Sequence, residues 1–188
     1  MRALGVIFSN SEAESLYEIT RKRTTGSIPF GGRYRLIDFA LSNMVSARIS
    51  NVAVLTQRNY QSLMDHLGSG KEWDMSRKNG GLVIFPPFGS HKSDSLYSTR
   101  LEALKSIKSY INKQNPEIVV LTDSDSVNTI DLQEVIEKHE ANRADITIVY
   151  KNMEVTSDLV NSLNITVDSF DRITSAKIKT PMGQKANL

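Results

Sequence analysis

Four short apolar runs punctuate the chain: Leu4–Phe8, Val52–Leu55, Ile118–Leu121 and Ile146–Tyr150. Each is too continuous for a strand with one wet face, so each predicts a strand buried on both sides. Stretches of helical periodicity lie between them. From Ser98 to Ile111, Leu101, Leu104, Ile107 and Ile111 recur at helical spacing, with Arg100, Lys105 and Lys108 outside that stripe. This predicts one amphipathic helix. Asp131, followed three residues later by Glu134, resembles a helix start, where a carboxylate sits beside unpaired amides. Val135-Ile136 would supply the buried face of that helix. Strands alternating with helices predict an α/β fold: a mostly parallel sheet with helices on both faces. Such sheets bind ligands at the carboxyl ends of their strands. The chemistry is therefore expected after Phe8, Leu55, Phe85 and Leu121. Leu163–Val167 and Ile173–Ile178 predict two more strands joined by a turn at Asp168–Arg172. Gly183–Leu188 shows no closing element, and the chain reads as truncated.

Composition narrows the function classes. The 188 residues suffice for one domain with a real core, and 39% of them are apolar. With 5 prolines and 10 glycines the chain is neither collagenous nor of disordered type. A net charge of +2 does not call for nucleic acid or an anionic membrane. The absence of cysteine excludes disulfides, thiolate metal sites and a Cys nucleophile. Apolar runs such as Ala3–Phe8 are far too short to span a bilayer. One Arg and a short apolar strand do not make a signal peptide, so a cytoplasmic location is expected.

The most specific segment is Ser27-Ile-Pro-Phe-Gly-Gly-Arg-Tyr-Arg-Leu-Ile-Asp-Phe-Ala-Leu-Ser-Asn43. Pro29 stiffens the chain beside a flexible Gly31-Gly32 turn. Arg33 and Arg35 supply positive charge, and Asp38 is placed to orient one of them. A second reading is open: the segment packs the first helix on the sheet and touches no ligand. Together with Val54-Leu-Thr-Gln57, Asp65-His-Leu-Gly-Ser-Gly70 and Trp73-Asp74, it closely resembles ADP-glucose pyrophosphorylase, also called glucose-1-phosphate adenylyltransferase. The resemblance runs along nearly the whole chain and thins after Tyr150.

That resemblance implies a Rossmann-like, GT-A-like nucleotidyltransferase domain over residues 1–188. The family also has a C-terminal left-handed β-helix domain, which this sequence is expected to lack. The implied reaction joins ATP and glucose 1-phosphate into ADP-glucose, releases pyrophosphate and uses magnesium. A sugar-phosphate oxygen attacks the α-phosphorus, which requires electrostatic clamps, a metal and close positioning.

The clamps of the family are largely missing. Its Gly-Gly-x-Gly-x-Arg loop falls on Asn10, Ser11, Glu12, Ala13, Glu14 and Ser15, with no glycine and no arginine. Glycines there let backbone amides approach the triphosphate. Glu12 and Glu14 instead oppose it, each close like-charge pair costing ~1 kcal/mol or more. The family's lysine before Pro-Ala-x-Pro-Phe-Gly-Gly falls on Thr25, followed by Gly26. Lys22 and Arg23 nearby either substitute as phosphate or effector contacts, along with Arg33 and Arg35, or are simply solvated. The Pro-Ala-Gln-Gln-Arg loop falls on Pro86-Pro-Phe-Gly-Ser90, and Trp-Tyr-x-Gly-Thr-Ala-Asp-Ala on Leu96-Tyr-Ser-Thr-Arg-Leu-Glu-Ala103. In the second segment only Tyr97 and Ala103 persist, and Glu102 replaces Asp.

Some candidates remain. Gln57 is a candidate substrate contact. Asp125 matches the carboxylate of the family's Gly-Asp-His segment, which falls on Ser124, Asp125 and Ser126. Asp123 and Asp125 either hold a hard cation through oxygen or cap the turn into the next helix. Lys179 falls near the family's sugar-phosphate lysine and either keeps that contact or is exposed. No catalytic residue is assigned, and magnesium is a family cofactor that this chain need not bind. The scaffold is kept while the residues that would touch ligand are replaced. In this the chain resembles the D-type regulatory subunit that some bacteria pair with a catalytic subunit in glycogen synthesis. The implied partner is that catalytic subunit, with a nucleotide or sugar phosphate as a further candidate ligand and neither nucleic acid nor membrane. A divergent active pyrophosphorylase and a sugar-phosphate or nucleotide binding module are the rival readings.

Overall fold

The computed structural model describes residues 2–9, 16–77, 80–87, 97, 99–157, 159, 162–178 and 180–188. The backbone forms two compact units, Met1–Glu134 and Val135–Leu188.

The first unit is built on a four-stranded parallel sheet. β1 (Ala3–Phe8), β4 (Asn51–Leu55), β5 (Leu82–Phe85) and β6 (Ile118–Asp123) stand in the order β5-β4-β1-β6. The apolar runs of β1 and β4 become strands because side chains on both faces are covered. β6, at the edge of this sheet, departs from the expectation of burial on both sides and keeps one face partly open, with Val119 39% and Leu121 51% exposed. Leu4, Val6 and Phe8 share one face with Ala53 and Leu55, and pack against Ala103 and Ile107. Those two come from α4 (Arg100–Ser106) and its junction with α5 (Lys108–Gln114). The opposite face is covered by α2 (Leu36–Ser46), whose Ile37, Ala40, Leu41 and Met44 are buried at helical spacing. Met44 Sδ lies 2.9 Å from where a Cβ on Gly5 would sit, so a small residue in β1 lets α2 approach closely. Around this frame lie α1 (Tyr17–Thr20), a short hairpin of β2 (Pro29–Phe30) and β3 (Tyr34–Arg35), and α3 (Gln61–Leu67). The hairpin turns at Gly31 and Gly32, with φ of 59° and 90°.

The stretch expected as one helix is two. Ile107 has φ −100° and ψ 13°, which ends α4 and starts α5. The expected stripe holds at Leu104, Ile107 and Ile111, but Leu101 is 62% exposed. Ala103 takes the buried position in its place. Ser98 lies outside the described residues.

α6 (Leu132–Ala141) spans the division between the units. As expected, Asp131 caps it: its Oδ1 accepts the N–H groups of Gln133 (2.9 Å) and Glu134 (3.3 Å). Ile136 is buried.

The second unit carries an antiparallel sheet in the order β7-β10-β8-β9, formed by β7 (Asn152–Glu154), β8 (Leu163–Val167), β9 (Ile173–Ile178) and β10 (Lys185–Asn187). The β8–β9 hairpin is the expected one. Asp168 Oδ1 closes its turn by accepting from Phe170 N (2.8 Å) and Arg172 N (2.9 Å), and these bonds hold its carboxyl below the usual aspartate value. Two expectations are corrected. Gly183–Leu188 does contain a closing element: β10 lies between β7 and β8, with Ala186 buried and Asn187 opposite both Asn152 and Ile165. Ile146–Tyr150 is not a strand. A strand needs a ladder partner; among the described residues none pairs with this run, and Ile146 is 78% exposed.

Candidate functional site

The chain leaves β1 for β4 and β5 on one side, then crosses to β6 on the other. The crevice between the carboxyl ends of β1 and β6 is therefore the topological switch point, where open α/β sheets bind ligands. Its floor is tightly laddered. Ser124 N donates to Phe8 O and Ser9 N to Leu55 O, each at 2.9 Å. Phe8 pairs in register with Asp123. Because side chains alternate along a strand, Phe8 and Asp123 point to one side of the crevice, Ser9 and Ser124 to the other.

The Ser9 and Ser124 side meets a single 3-10 turn, Thr25–Ser27, whose residues are all buried. A Cβ on Gly26 would lie 2.8 Å from Ser124 Cβ, Ser124 Oγ and Ser9 Oγ. Nothing larger than glycine fits without displacing a neighbour. Ser27 Oγ donates to Thr24 O at 2.9 Å and fixes the turn. The hydroxyls of Ser9, Thr24 and Ser124 are buried and have no hydrogen-bond partner among the described residues.

On the Phe8 and Asp123 side stands Arg100, the first residue of α4. An Arg100 Nη donates to Asp123 Oδ2 at 2.6 Å, and the guanidinium carbon lies 5.8 Å from the centre of the Phe8 ring. Burial pushes the Asp123 carboxyl above the usual aspartate value; Arg100 pulls it back, and Asp125 pushes it further up. Thr99 fixes the start of α4: its Oγ1 accepts from Glu102 N at 3.2 Å, and Glu102 Oε2 accepts from Thr99 N at 3.3 Å. This is a capping box, and the Thr-x-x-Glu spacing at residues 99–102 is its sequence signal.

The sequence candidates have separate fates. Gln57 Nε2 donates to Tyr97 O at 2.9 Å, so it ties the end of β4 to the approach to α4. Arg35 turns to α3, donating to Ser62 O and to Ser62 Oγ (2.8 Å). Asp38 does not orient a guanidinium: its Oδ2 accepts the backbone N–H of Arg35 at 3.0 Å, and its Oδ1 lies 2.6 Å from His66 Nε2. The physical reason is local: Asp38 sits in the first turn of α2, within reach of an unpaired amide. Arg33 stacks its guanidinium 5.3 Å from the Tyr34 ring, and Lys22 is exposed. Arg23 is half-buried, and its backbone N–H donates to Thr20 O at 3.3 Å. Asp125 is half-buried beside Asp123. Asn10–Ser15, Phe88–Ser90, Leu96 and Lys179 lie outside the described residues.

A magnesium ion at the end of β6 would have to share Asp123 with a guanidinium. Among the described residues no three His, Cys, Asp or Glu side chains cluster as ligands. Asp123, which together with Asp125 was expected either to offer oxygens to a cation or to cap the turn into the next helix, is already engaged by a guanidinium. Arg100 was the residue that sequence reasoning passed over. It was visible only as a charge outside an apolar stripe, because its partner lies 23 residues away in the chain.

A family profile described as Nucleotidyl transferase matches residues 4–158. The chain is 43% identical over 150 residues to the glycogen biosynthesis protein GlgD of Bacillus subtilis (strain 168), a match covering 79% of this chain and 43% of that protein. GlgD of Geobacillus stearothermophilus is 38% identical over 151 residues, covering 78% and 43%. The glucose-1-phosphate adenylyltransferase of Halalkalibacterium halodurans is 34% identical over 145 residues, covering 77% and 38%. The matched segment thus spans less than half the length of these relatives. Among the described residues no helix is long and apolar enough to cross a membrane. The parallel sheet, its helical layers and the profile match across most of its length agree: this chain belongs to the nucleotidyl transferase family.

Proposed function

We propose that this chain acts as a regulatory, non-catalytic part of a glucose-1-phosphate adenylyltransferase, working in the cytoplasm through a catalytic partner in bacterial glycogen synthesis. One observation carries the reading. Both sides of the switch-point crevice are taken up by contacts among the chain's own residues, Gly26 against Ser9 and Ser124 on the buried side and Arg100 against Asp123 on the side partly open to water. The similarity to proteins named GlgD and to named adenylyltransferases supports the same reading. So does the chemistry of the loop at Asn10–Ser15, which lacks the glycines and the arginine that phosphate transfer needs.

In this reading Gln57 holds the approach to α4 in place, and Asp125 and Lys179 are residual positions of a former substrate site. Lys22, Arg23, Arg33 and Arg35 remain candidates for an anionic effector. Magnesium serves the catalytic partner. Related subunits have symmetry-compatible surfaces, so a mixed oligomer needs little new structure. Coupling of only ~1–3 kcal/mol would change the partner's activation several-fold.

The experiment is co-expression of the full-length protein with the catalytic subunit, purification through a tag on one of them, and assay of ADP-glucose formation. The expected result is co-purification, a changed effector response, and no turnover by this protein alone. Separate elution with unchanged partner kinetics would refute it, as would magnesium-dependent turnover by this protein alone.

A further inference from the structure

We propose that Arg100 is a built-in replacement for a metal ion: its guanidinium supplies, as a fixed part of the chain, the positive charge that a divalent cation would otherwise bring to Asp123 at the end of β6 and Asp125 just beyond it. The observations are geometric. Asp123 stands at the end of β6, in register with Phe8 across the crevice, and Asp125 lies close enough to raise its pKa. Two carboxylates at a strand end attract a hard cation. Arg100 reaches Asp123 from a different element, makes a 2.6 Å charge-assisted bond to it, and rests over the Phe8 ring.

Arg100 is not explained as part of the core or as a helix stabiliser. Its side chain is 67% exposed, and exposed ion pairs contribute little to stability. It sits in the first turn of α4, where a cation opposes the helix dipole. A charge placed against the local electrostatics, and aimed at a carboxylate across the crevice, fits a counter-ion.

The consequence is a latent cation site. Removing the guanidinium should expose it, and Mn2+ is the probe. In a titration of the full chain followed by the free-Mn2+ electron paramagnetic resonance signal, the unmodified protein should show no crevice binding. Arg100→Thr and Arg100→Gln should each gain at least about tenfold in Mn2+ affinity, the scale of one charge interaction near a protein surface. Adding Asp123→Asn to either variant should abolish the gain. Arg100→Gln keeps the side-chain length, so it carries the test if Arg100→Thr folds poorly. Equal Mn2+ affinity with and without Arg100, or a gain that survives Asp123→Asn, overturns the proposal. A fall in melting temperature without any gain in Mn2+ binding also overturns it, because that is the mark of a purely structural arginine. No catalytic partner is present, so this inference can fail while the regulatory reading stands, and the reverse.

Discussion

On one side of the crevice Ser9, Ser124 and Gly26 are set by shape; on the other Arg100 and Asp123 are set by charge. The first side is fully buried and leaves no room for a Cβ on Gly26. The second is partly open to water, with Arg100 67% and Asp123 27% exposed. The same strand ends therefore answer to two kinds of perturbation. Steric changes should be costly on the buried side and cheap on the open one, while pH should act only on the open side.

The largest effect is expected from Gly26→Ala. Gly26 lies outside the left-handed region, so alanine is conformationally allowed there and the cost is purely steric. Overpacking of this kind costs about 1–3 kcal/mol, measured as a shift in the urea midpoint. Ser124→Gly in the same chain removes two of the three clashing atoms. The double variant should recover about 1 kcal/mol or more relative to Gly26→Ala, a coupling that distant sites do not show. If the two changes simply add, Gly26 and Ser124 are not in contact. The resembling family has a proline at the Gly26 position and a glycine at the Ser124 position, so the bulk has moved from one partner to the other.

Thr99→Ala should cost about 1 kcal/mol by removing the cap of α4. The change should also loosen Arg100, which follows Thr99 directly. An NMR titration should then show the Asp123 carboxyl moving further above its usual value, because the pull of the guanidinium that lowers it weakens.

How much of this was legible in the sequence follows from the range of each interaction. The strands β1 and β4 were readable because burial on both faces leaves a continuous apolar run; β6 carries such a run although one of its faces is partly open. The β8–β9 turn was readable because Asp168 satisfies its own neighbours. Ile146–Tyr150 has the composition of a strand but lacks a ladder partner among the described residues, which composition cannot reveal. β10 is Lys-Ala-Asn, with no β-propensity, and exists because β7 and β8 flank it. The break at Ile107 is a backbone event inside an unbroken apolar stripe. In the crevice, the altered loops were visible residue by residue, but the Arg100–Asp123 pair and the Gly26–Ser124 contact join segments far apart in sequence. The Thr99–Glu102 capping box is the one missed feature whose signal was local.

A smaller effect is expected from pH. The folded pKa of Asp123 is raised, so the folded state holds its proton more tightly than the unfolded chain. The sign follows: this residue weakens stability as pH rises from the usual aspartate value through its raised folded value, and the penalty persists above. Asp123→Asn should remove that pH dependence and leave the protein at least as stable at neutral pH, since the Arg100 left behind is solvated. Urea denaturation of both proteins across the acid range tests this. A variant that becomes less stable at neutral pH would mean the ion pair outweighs the burial of the carboxylate.

Ser124→Ala should have the smallest effect, and it separates shape from hydrogen bonding on the buried side. Ser124 is fully buried and its hydroxyl has no partner among the described residues. A hydrogen-bonded hydroxyl typically contributes about 0.5–1.5 kcal/mol, whereas removing a polar atom with no partner is neutral or stabilising. Alanine keeps the Cβ that packs against Gly26, so the steric fit is preserved. The urea midpoint should therefore move by no more than about 0.5 kcal/mol in stability terms, in either direction. Set beside Ser124→Gly, which removes the Cβ as well, the pair isolates the methyl-sized contact from the oxygen. A drop above about 1 kcal/mol for Ser124→Ala would show that the hydroxyl is bonded in solution. The buried side would then be held by polar contacts rather than by packing alone.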